Sequence, residues 1–299
     1  MHHYAVAMHG AGLASVAALP YRGGMDEAIA RRMRFQQATP FAQAIGLELL
    51  DWGTGRASTR LAPSGPVCLA GSVAAIHPWA LIGMADHALS YVFPGVLAPK
   101  SGLATLDLRL DFGAKPQGAV TAEAKIHHHT AHHGAAVLSA QDATGANVLA
   151  ATALFNFRSF PGGGGLRRPD LPPFENDHEG PFPAFIGLHS EGDCVWLEGA
   201  GRRTVGFEGL PALHGGVIGA LLAAACEAAI ARAGLAAGLR LTTLHIRFLR
   251  PAGLARLDAA ANVARAGRSA AFVSASCWHT QEEPVADAQA TFAPGDSPG

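Results

Sequence analysis

The sequence predicts an α+β protein of two tandem units, each an antiparallel sheet wrapped around one central helix. Three observations carry the prediction. Segments recur in the same order at a nearly constant offset. Each recurrence holds one long, strongly apolar stretch, and that stretch precedes runs in which apolar and polar residues roughly alternate, the period of a half-buried strand. Residues 40–47 return as 181–188 at an offset of 141, and 103–109 as 241–247 at 138. Residues 135–140 return as 270–275 at 135, and Phe155 as Phe292 at 137. The drift is small and the order is kept, as duplication requires.

Taken along the chain, residues 1–24 lack the Lys/Arg-rich start and long apolar run of a secretory signal, with Arg22 their only certain positive side chain. They read as a leader or an artefact of start-codon choice, with Met25 an alternative beginning. The first unit is expected over 25–160. It opens with a helical segment carrying apolar Ala28, Ile29, Met33 and Phe35, suited to shaping a pocket or covering a sheet edge. A short extended segment, a helix over 77–93 and four strands over 103–112, 119–126, 135–141 and 148–157 follow. The Gly/Pro-rich segment 161–180, with four consecutive glycines at 162–165 and Pro172-Pro173, reads as a flexible linker. The second unit, 181–294, repeats the order with a helix over 214–233 and strands over 239–249, 257–263, 270–279 and 285–292; residues 295–299 are a tail.

Composition narrows the function classes. The chain has 299 residues, 22 Lys+Arg against 23 Asp+Glu and 49% hydrophobic residues, which suits a large core and leaves no basic footprint for nucleic acid or an anionic membrane. The apolar stretch 215–231 contains Glu227 and falls short of the roughly 20 residues a bilayer span needs, so it reads as a core helix. Cys68, Cys194, Cys226 and Cys277 show no CxxC spacing and read as reduced, buried and cytoplasmic. Neither half places a GxGxxG or a P-loop after a strand, so dinucleotide and nucleotide cradles are disfavoured. The histidine run 127–133 invites a metal, since His127 and His129 share one strand face; without a nearby Cys or carboxylate it reads as a solvated hairpin tip.

At the head of the second helix stands His214-Gly215-Gly216, and nine residues after His77, at the head of the first, stands Asp86. Together with the duplication, these residues resemble the hotdog-fold acyl-CoA thioesterases, and more narrowly the phenylacetyl-CoA-type (PaaI-like) branch, where His-Gly-Gly opens the central helix and an acid follows nine positions later. The resemblance implies a double hotdog chain, an active site at the interface of two units, coenzyme A entering only as part of the substrate, and assembly as a homodimer of double hotdogs. It implies neither a cofactor nor a metal.

Neither half carries the full pattern. The first reads His77-Pro78-Trp79 where glycines are expected, and the second has Ala223 where the acid is expected. Nine residues along an α-helix rise about 13.5 Å and rotate about 900°, leaving the acid roughly opposite the histidine in azimuth, so one helix cannot build the site alone. Two-fold pairing of the helices gives two composite sites: Asp86 with His214-Gly215-Gly216, and Ala223 with His77-Pro78-Trp79. The second lacks both the carboxylate and, at Pro78, a backbone donor. One active site per chain is therefore expected.

In that site Asp86 is the general base or the nucleophile, and the sequence does not choose between them. Gly215 is the expected oxyanion donor, His214 orients the carbonyl or holds the turn, and Gly216 permits close backbone approach. Ser90, one turn after Asp86, is a candidate for positioning water. Arg250 and Arg268 are candidates for meeting the phosphates of coenzyme A. Trp79 is expected to fill the second site's acyl space, and Glu227, one turn beyond Ala223, to be too far displaced to replace the missing acid. The competing readings are a non-catalytic acyl-CoA or acyl-carrier binding module and a hotdog hydratase. No Asp-x4-His dyad follows Asp86 to support the hydratase, and His87 points about 100° away from the acid on the helix.

Overall fold

Each half of the chain folds in the order the repeat dictates. The computed structural model describes residues 27–72, 74–98, 101–159, 180–199, 201, 203–207, 210–236, 238–280 and 283–295. The leader 1–24, all but Gly180 of the linker 161–180, and residues 296–299 of the tail lie outside them. In the first half come α1 (Glu27–Gln37), α2 (Pro40–Ala44), β1 (Leu47–Gly53), β2 (Arg56–Leu61), α3 (Pro78–Ser90), β3 (Ser101–Phe112), β4 (Val120–His129), β5 (His133–Gln141) and β6 (Asn147–Ser159). The second half gives α4 (Phe182–Phe185), β7 (Leu188–Glu191), β8 (Cys194–Leu197), β9 (Val205–Phe207), β10 (Leu210–Leu213), α5 (Gly215–Arg232), β11 (Leu239–Phe248), β12 (Leu257–Ala266), β13 (Ala271–Trp278) and β14 (Pro284–Pro294).

Twelve strands form one antiparallel sheet in the order β1-β2-β4-β5-β6-β3-β11-β14-β13-β12-β8-β7, and β9 pairs with β10 apart from it. The order reads the same from either end once β1 is matched with β7 and β3 with β11, the signature of a pseudo-two-fold. Its seam is the antiparallel pair of β3 and β11, where Arg109 faces His245 and Asp107 faces Arg247. This is the double hotdog fold, with the two units joined edge to edge into one sheet.

Each unit contributes six strands to that sheet where a meander of four is expected. The extra pairs are the hairpins β1–β2 and β7–β8, which add onto β4 and β12. They are short, turn at Gly55 and Gly192 in the left-handed region, and β1 carries a bulge between Leu49 and Asp51 that breaks its alternation. Those features blur the period that would otherwise announce two strands.

Helices α3 and α5 pack against each other and against the sheet, and nearly every residue of α3 from Trp79 to Leu89 is buried. Burial on all sides explains why both helices are apolar around their whole circumference. Among the described residues α5 is the one helix long and apolar enough to cross a membrane, and here most of it lies inside the fold. Alternation in the strands supplies the other half of the core: in β5, Gly134, Ala136, Leu138 and Ala140 are buried while Ser139 and Gln141 face solvent. Cys68, Cys226 and Cys277 are buried, but Cys194 is exposed, because it starts β8 near the sheet edge. The histidine run ends β4 and starts β5, with His127, His128, His129, His132 and His133 exposed around the hairpin.

Helix α1 lies over the C-terminal end of α3, where Arg32 donates to the carbonyls of Pro94 and Leu97 and the Gln36 amide donates to that of Ser90. Met33 is fully buried beneath it, while the side chains of Ala28 and Phe35 lie outside the described set.

Candidate active site

Both central helices begin in the same way. His77 precedes α3 and His214 precedes α5, each in extended conformation, and each ring accepts the backbone N–H two residues on through Nδ1: Trp79 N–H at 3.2 Å and Gly216 N–H at 3.0 Å. The histidines are therefore N-caps, occupying one of the amides that a helix start leaves without a partner. The repeated Pro-Phe segment braces them crosswise. Phe41 of the first unit lies 4.5 Å from the His214 ring, and Phe182 of the second lies 5.9 Å from His77.

Asp86 sits on the far face of α3, turned toward the start of α5. Its Oδ2 is 3.5 Å from His214 Nδ1, its Oδ1 accepts the Thr105 hydroxyl at 2.9 Å, and the Gly216 N–H also reaches the carboxylate. The glycines follow from this crowding. A Cβ on Gly215 would stand 2.6 Å from Asp86 Oδ2, and one on Gly216 would stand 2.3 Å from Gly83 Cα, where α3 crosses α5. The close backbone approach at Gly216 is thus to the other helix. The structure brings Asp86, His214, Gly215 and Gly216 together from opposite units, as the helix geometry requires.

Burial sets the protonation states. Asp86 is pushed up to about 6, its burial outweighing the Thr105 and Gly216 hydrogen bonds that favour the charged form. His214 is pushed down to about 3 by burial, and His87 also to about 3, by burial first and then by the His214 ring. With Nδ1 of His214 already accepting an amide proton, its short distance to Asp86 is a contact between a carboxyl and a neutral ring. Asp86 keeps its basicity because no imidazolium stands beside it.

The remaining predicted residues are placed less uniformly. The Ser90 hydroxyl donates to the His87 carbonyl at 2.7 Å within its own helix. Exposed Arg250 follows two residues after Phe248, whose ring lies 3.4 Å from where a Gly215 Cβ would stand, so it is at the site's end of the sheet. Arg268 is in the β12–β13 turn, at the end where Ala271 pairs with Phe292 and Phe292 with Leu241. That is the opposite end of β11, about 20 Å from Phe248 at strand rise, so Arg268 is not brought to the site.

Sequence reasoning missed two residues. Thr105 is one: Leu108 and Leu110 face the helices, so unbroken alternation turns Thr105 away. A bulge between Thr105 and Asp107 reverses the parity, pairing Thr105 with buried Phe155 and bringing its hydroxyl to Asp86. The other is His87, buried, with Nδ1 3.3 Å from His214 Nε2 and Nε2 3.1 Å from the Gln36 carbonyl oxygen. It points away from Asp86 around α3, as its azimuth demands, yet meets the far side of the same imidazole. A buried histidine beside the acid is the signal that could have found it.

At the second composite position Ala223 is buried and Trp79 occupies the place corresponding to Gly216. The Trp79 ring is buried, and its indole N–H donates to Glu227 at 3.1 Å.

Comparisons with known proteins agree with this architecture. Residues 207–293 match the family model described as the acyl-CoA thioesterase N-terminal domain. Among solved structures, the tesB protein of Mycobacterium avium subs paratuberculosis aligns at TM-score 0.57 and 14% identity, covering 85% of this chain and 99% of that one. The 12:0-ACP thioesterase of Umbellularia californica aligns at 0.55 and 11% identity, covering 80% and 94%. At these identities the likeness to solved structures is one of fold. No curated protein matches by sequence. The family match lies in the second unit, and over the rest of the chain the likeness to the hotdog-fold thioesterases is one of fold.

Proposed function

We propose that the chain hydrolyses an acyl-CoA thioester to the free acid and coenzyme A, at one composite site built from Asp86 of α3 and the His214-Gly215-Gly216 start of α5. The observation that carries the reading is the placement of a buried carboxylate of raised basicity against a helix start that only glycine can form. Asp86 takes a proton from water as the water oxygen attacks the thioester carbonyl carbon. The Gly215 N–H, at the first position of α5 where no intrahelical acceptor exists, donates to the carbonyl oxygen as it becomes an oxyanion. Collapse breaks the C–S bond, and the proton held by Asp86 goes to the departing thiolate. A base of pKa near 6 is ionised at neutral pH yet strong enough to accept a proton, which suits this role better than an ordinary aspartate.

Thr105 holds one carboxylate oxygen, leaving Oδ2 facing the helix start. Arg250, exposed at the same end of the sheet with its guanidinium donating to the Pro284 carbonyl, is the candidate for meeting a coenzyme A phosphate. The PaaI-like branch and a homodimer of double hotdogs remain part of the proposal on the strength of sequence resemblance, and a cytoplasmic location on that of the cysteine spacing. The test is free-thiol release from short, medium, long and aryl acyl-CoA esters by the native chain and Asp86→Asn. Turnover lost in the variant supports the reading; acyl-CoA binding without turnover in the native chain sinks it and leaves a binding module.

A further inference from the structure

We propose that His87 is a positioning residue that locks His214 as the neutral, Nε2-protonated tautomer, through a hydrogen-bond chain running from Gly216 N–H through both imidazoles to the Gln36 carbonyl. The chain has fixed ends. A backbone N–H can only donate, so His214 Nδ1, 3.0 Å from Gly216 N, carries no proton and its Nε2 carries the one proton of the neutral ring. A carbonyl can only accept, so His87 Nε2, 3.1 Å from Gln36 O, carries its proton and His87 Nδ1 is left with a lone pair. The remaining link, His214 Nε2 to His87 Nδ1 at 3.3 Å, then has a donor facing an acceptor. All three contacts are satisfied by one arrangement of protons only.

Adding a second proton breaks the chain wherever it goes. On His214 it sets an N–H against the Gly216 N–H. On His87 it sets one against the His214 N–H. Both rings are buried, and both are pushed toward neutrality by that burial. Three consequences follow for the helix start. His214 has no N–H left for a substrate carbonyl, so the oxyanion falls to the backbone amides. The cap on Gly216 is held at fixed geometry, and with it the neighbouring Gly215 N–H. The carboxylate of Asp86 faces a lone pair, so its negative charge is not quenched. The chain also ties the site to α1, because Gln36 lies in the last turn of that helix, where its carbonyl accepts from His87 and from the Thr39 N–H. At the second composite position Ala224 stands in the place of His87, and the chain has no counterpart there.

The catalytic consequence rests on the thioesterase reading, but the tautomer does not, so the two fail separately. The direct measurement is the ring ¹⁵N spectrum of the native, substrate-free chain at neutral pH. His214 and His87 are expected as two neutral, Nε2-protonated rings. An imidazolium, or an Nδ1-protonated His214, overturns the proposal whatever the enzyme's activity. With His87→Leu, His214 keeps the Gly216 N–H on Nδ1 but loses the acceptor of its Nε2–H: the Nε2–H resonance is expected to shift and its proton to exchange faster with water, and kcat to fall roughly ten- to hundredfold with KM within about twofold, the pattern of a misplaced catalytic group. His87→Gln, which can offer an oxygen to the His214 N–H, is expected to restore most of both. A His87→Leu protein with an unchanged His214 signature overturns the proposal. Native spectra as expected in a chain that turns over no thioester keep the tautomer lock and remove only the function assigned to it.

Discussion

A buried base that must ionise to work costs the fold stability, and Asp86→Asn measures that cost. The folded-state pKa of Asp86 lies near 6 against an ordinary value of 3.8, so the native state holds a proton over a range where the unfolded chain has released it. Stability assigned to this group is complete below the unfolded value and is lost as pH rises through the folded one. With the folded value near 6 against 3.8, the full loss comes to about 3 kcal/mol at pH 8 and about half of that at pH 5, where Asp86 is still mostly protonated in the native state. Asparagine has no such term. Its replacement of Asp86 also alters the hydrogen bonds to Thr105 and Gly216, but that part does not change with pH, and nor does the opposing contribution of the buried histidines, which is common to both proteins. Urea unfolding of native chain and variant at pH 5 and pH 8 isolates the ionisation. The stability difference is expected to move in favour of Asp86→Asn by about 1 to 2 kcal/mol between the two pH values, while thiol release disappears at both. A difference that stays constant with pH refutes the raised basicity of Asp86 and, with it, the base role argued from burial.

Other expectations follow from the same geometry. The pH profile of kcat/KM for the native chain should rise about tenfold per unit below pH 6 and level off above it, because only ionised Asp86 accepts a proton; stopped assays in constant-ionic-strength buffers check this. Gly215→Ala places a Cβ 2.6 Å from Asp86 Oδ2 and should lower kcat by about a hundredfold while far-ultraviolet circular dichroism remains native. Ala223→Asp in an Asp86→Asn background should show no thiol release, since Trp79 fills that position and Pro78 has no N–H to donate. Single-turnover hydrolysis in ¹⁸O-labelled water should label the product acid and leave Asp86 unlabelled; label on Asp86 would instead establish an anhydride intermediate.

How much of this was legible beforehand depended on which forces leave a trace in local pattern. The duplication, the two core helices and the eight long strands were readable because burial imposes a period, and the meeting of Asp86 with the start of α5 was readable because nine residues of helix fix an azimuth. The hairpins β1–β2 and β7–β8 were not separately legible: four- to seven-residue strands at a sheet edge bury too little to enforce alternation. Thr105 was hidden by a bulge, which changes parity without changing composition. His87 was hidden by treating the helix as having one functional face, when the ring it contacts is reached from two sides. That Arg268 lies at the opposite end of the sheet from the start of α5 was not legible, because basic side chains in turns carry no information about which end of a sheet the turn occupies.

The asymmetry between the two composite positions is better explained by exchanged volume than by the loss of two residues alone. At the first position the helix start contributes Gly216, with no side chain, and the facing stretch of α3 contributes His87, Ser90 and Tyr91. At the second the helix start contributes Trp79, and the facing stretch of α5 contributes Ala224, Glu227 and Ala228 at the corresponding places. Where the helix start is bare the facing stretch carries the rings of His87 and Tyr91, and where it carries an indole the facing stretch carries alanines at those two places, the kind of exchange a dense core tolerates. In the second arrangement the indole lies between the helices with its N–H tied to Glu227, and no imidazole is left to hold the cap of the opposite histidine. Restoring an acid at Ala223 therefore addresses only one of several differences. Converting the second position would require removing Trp79, restoring an N–H at Pro78 and supplying a partner for His77 together, because each alone leaves a cavity, a missing donor or an unheld ring.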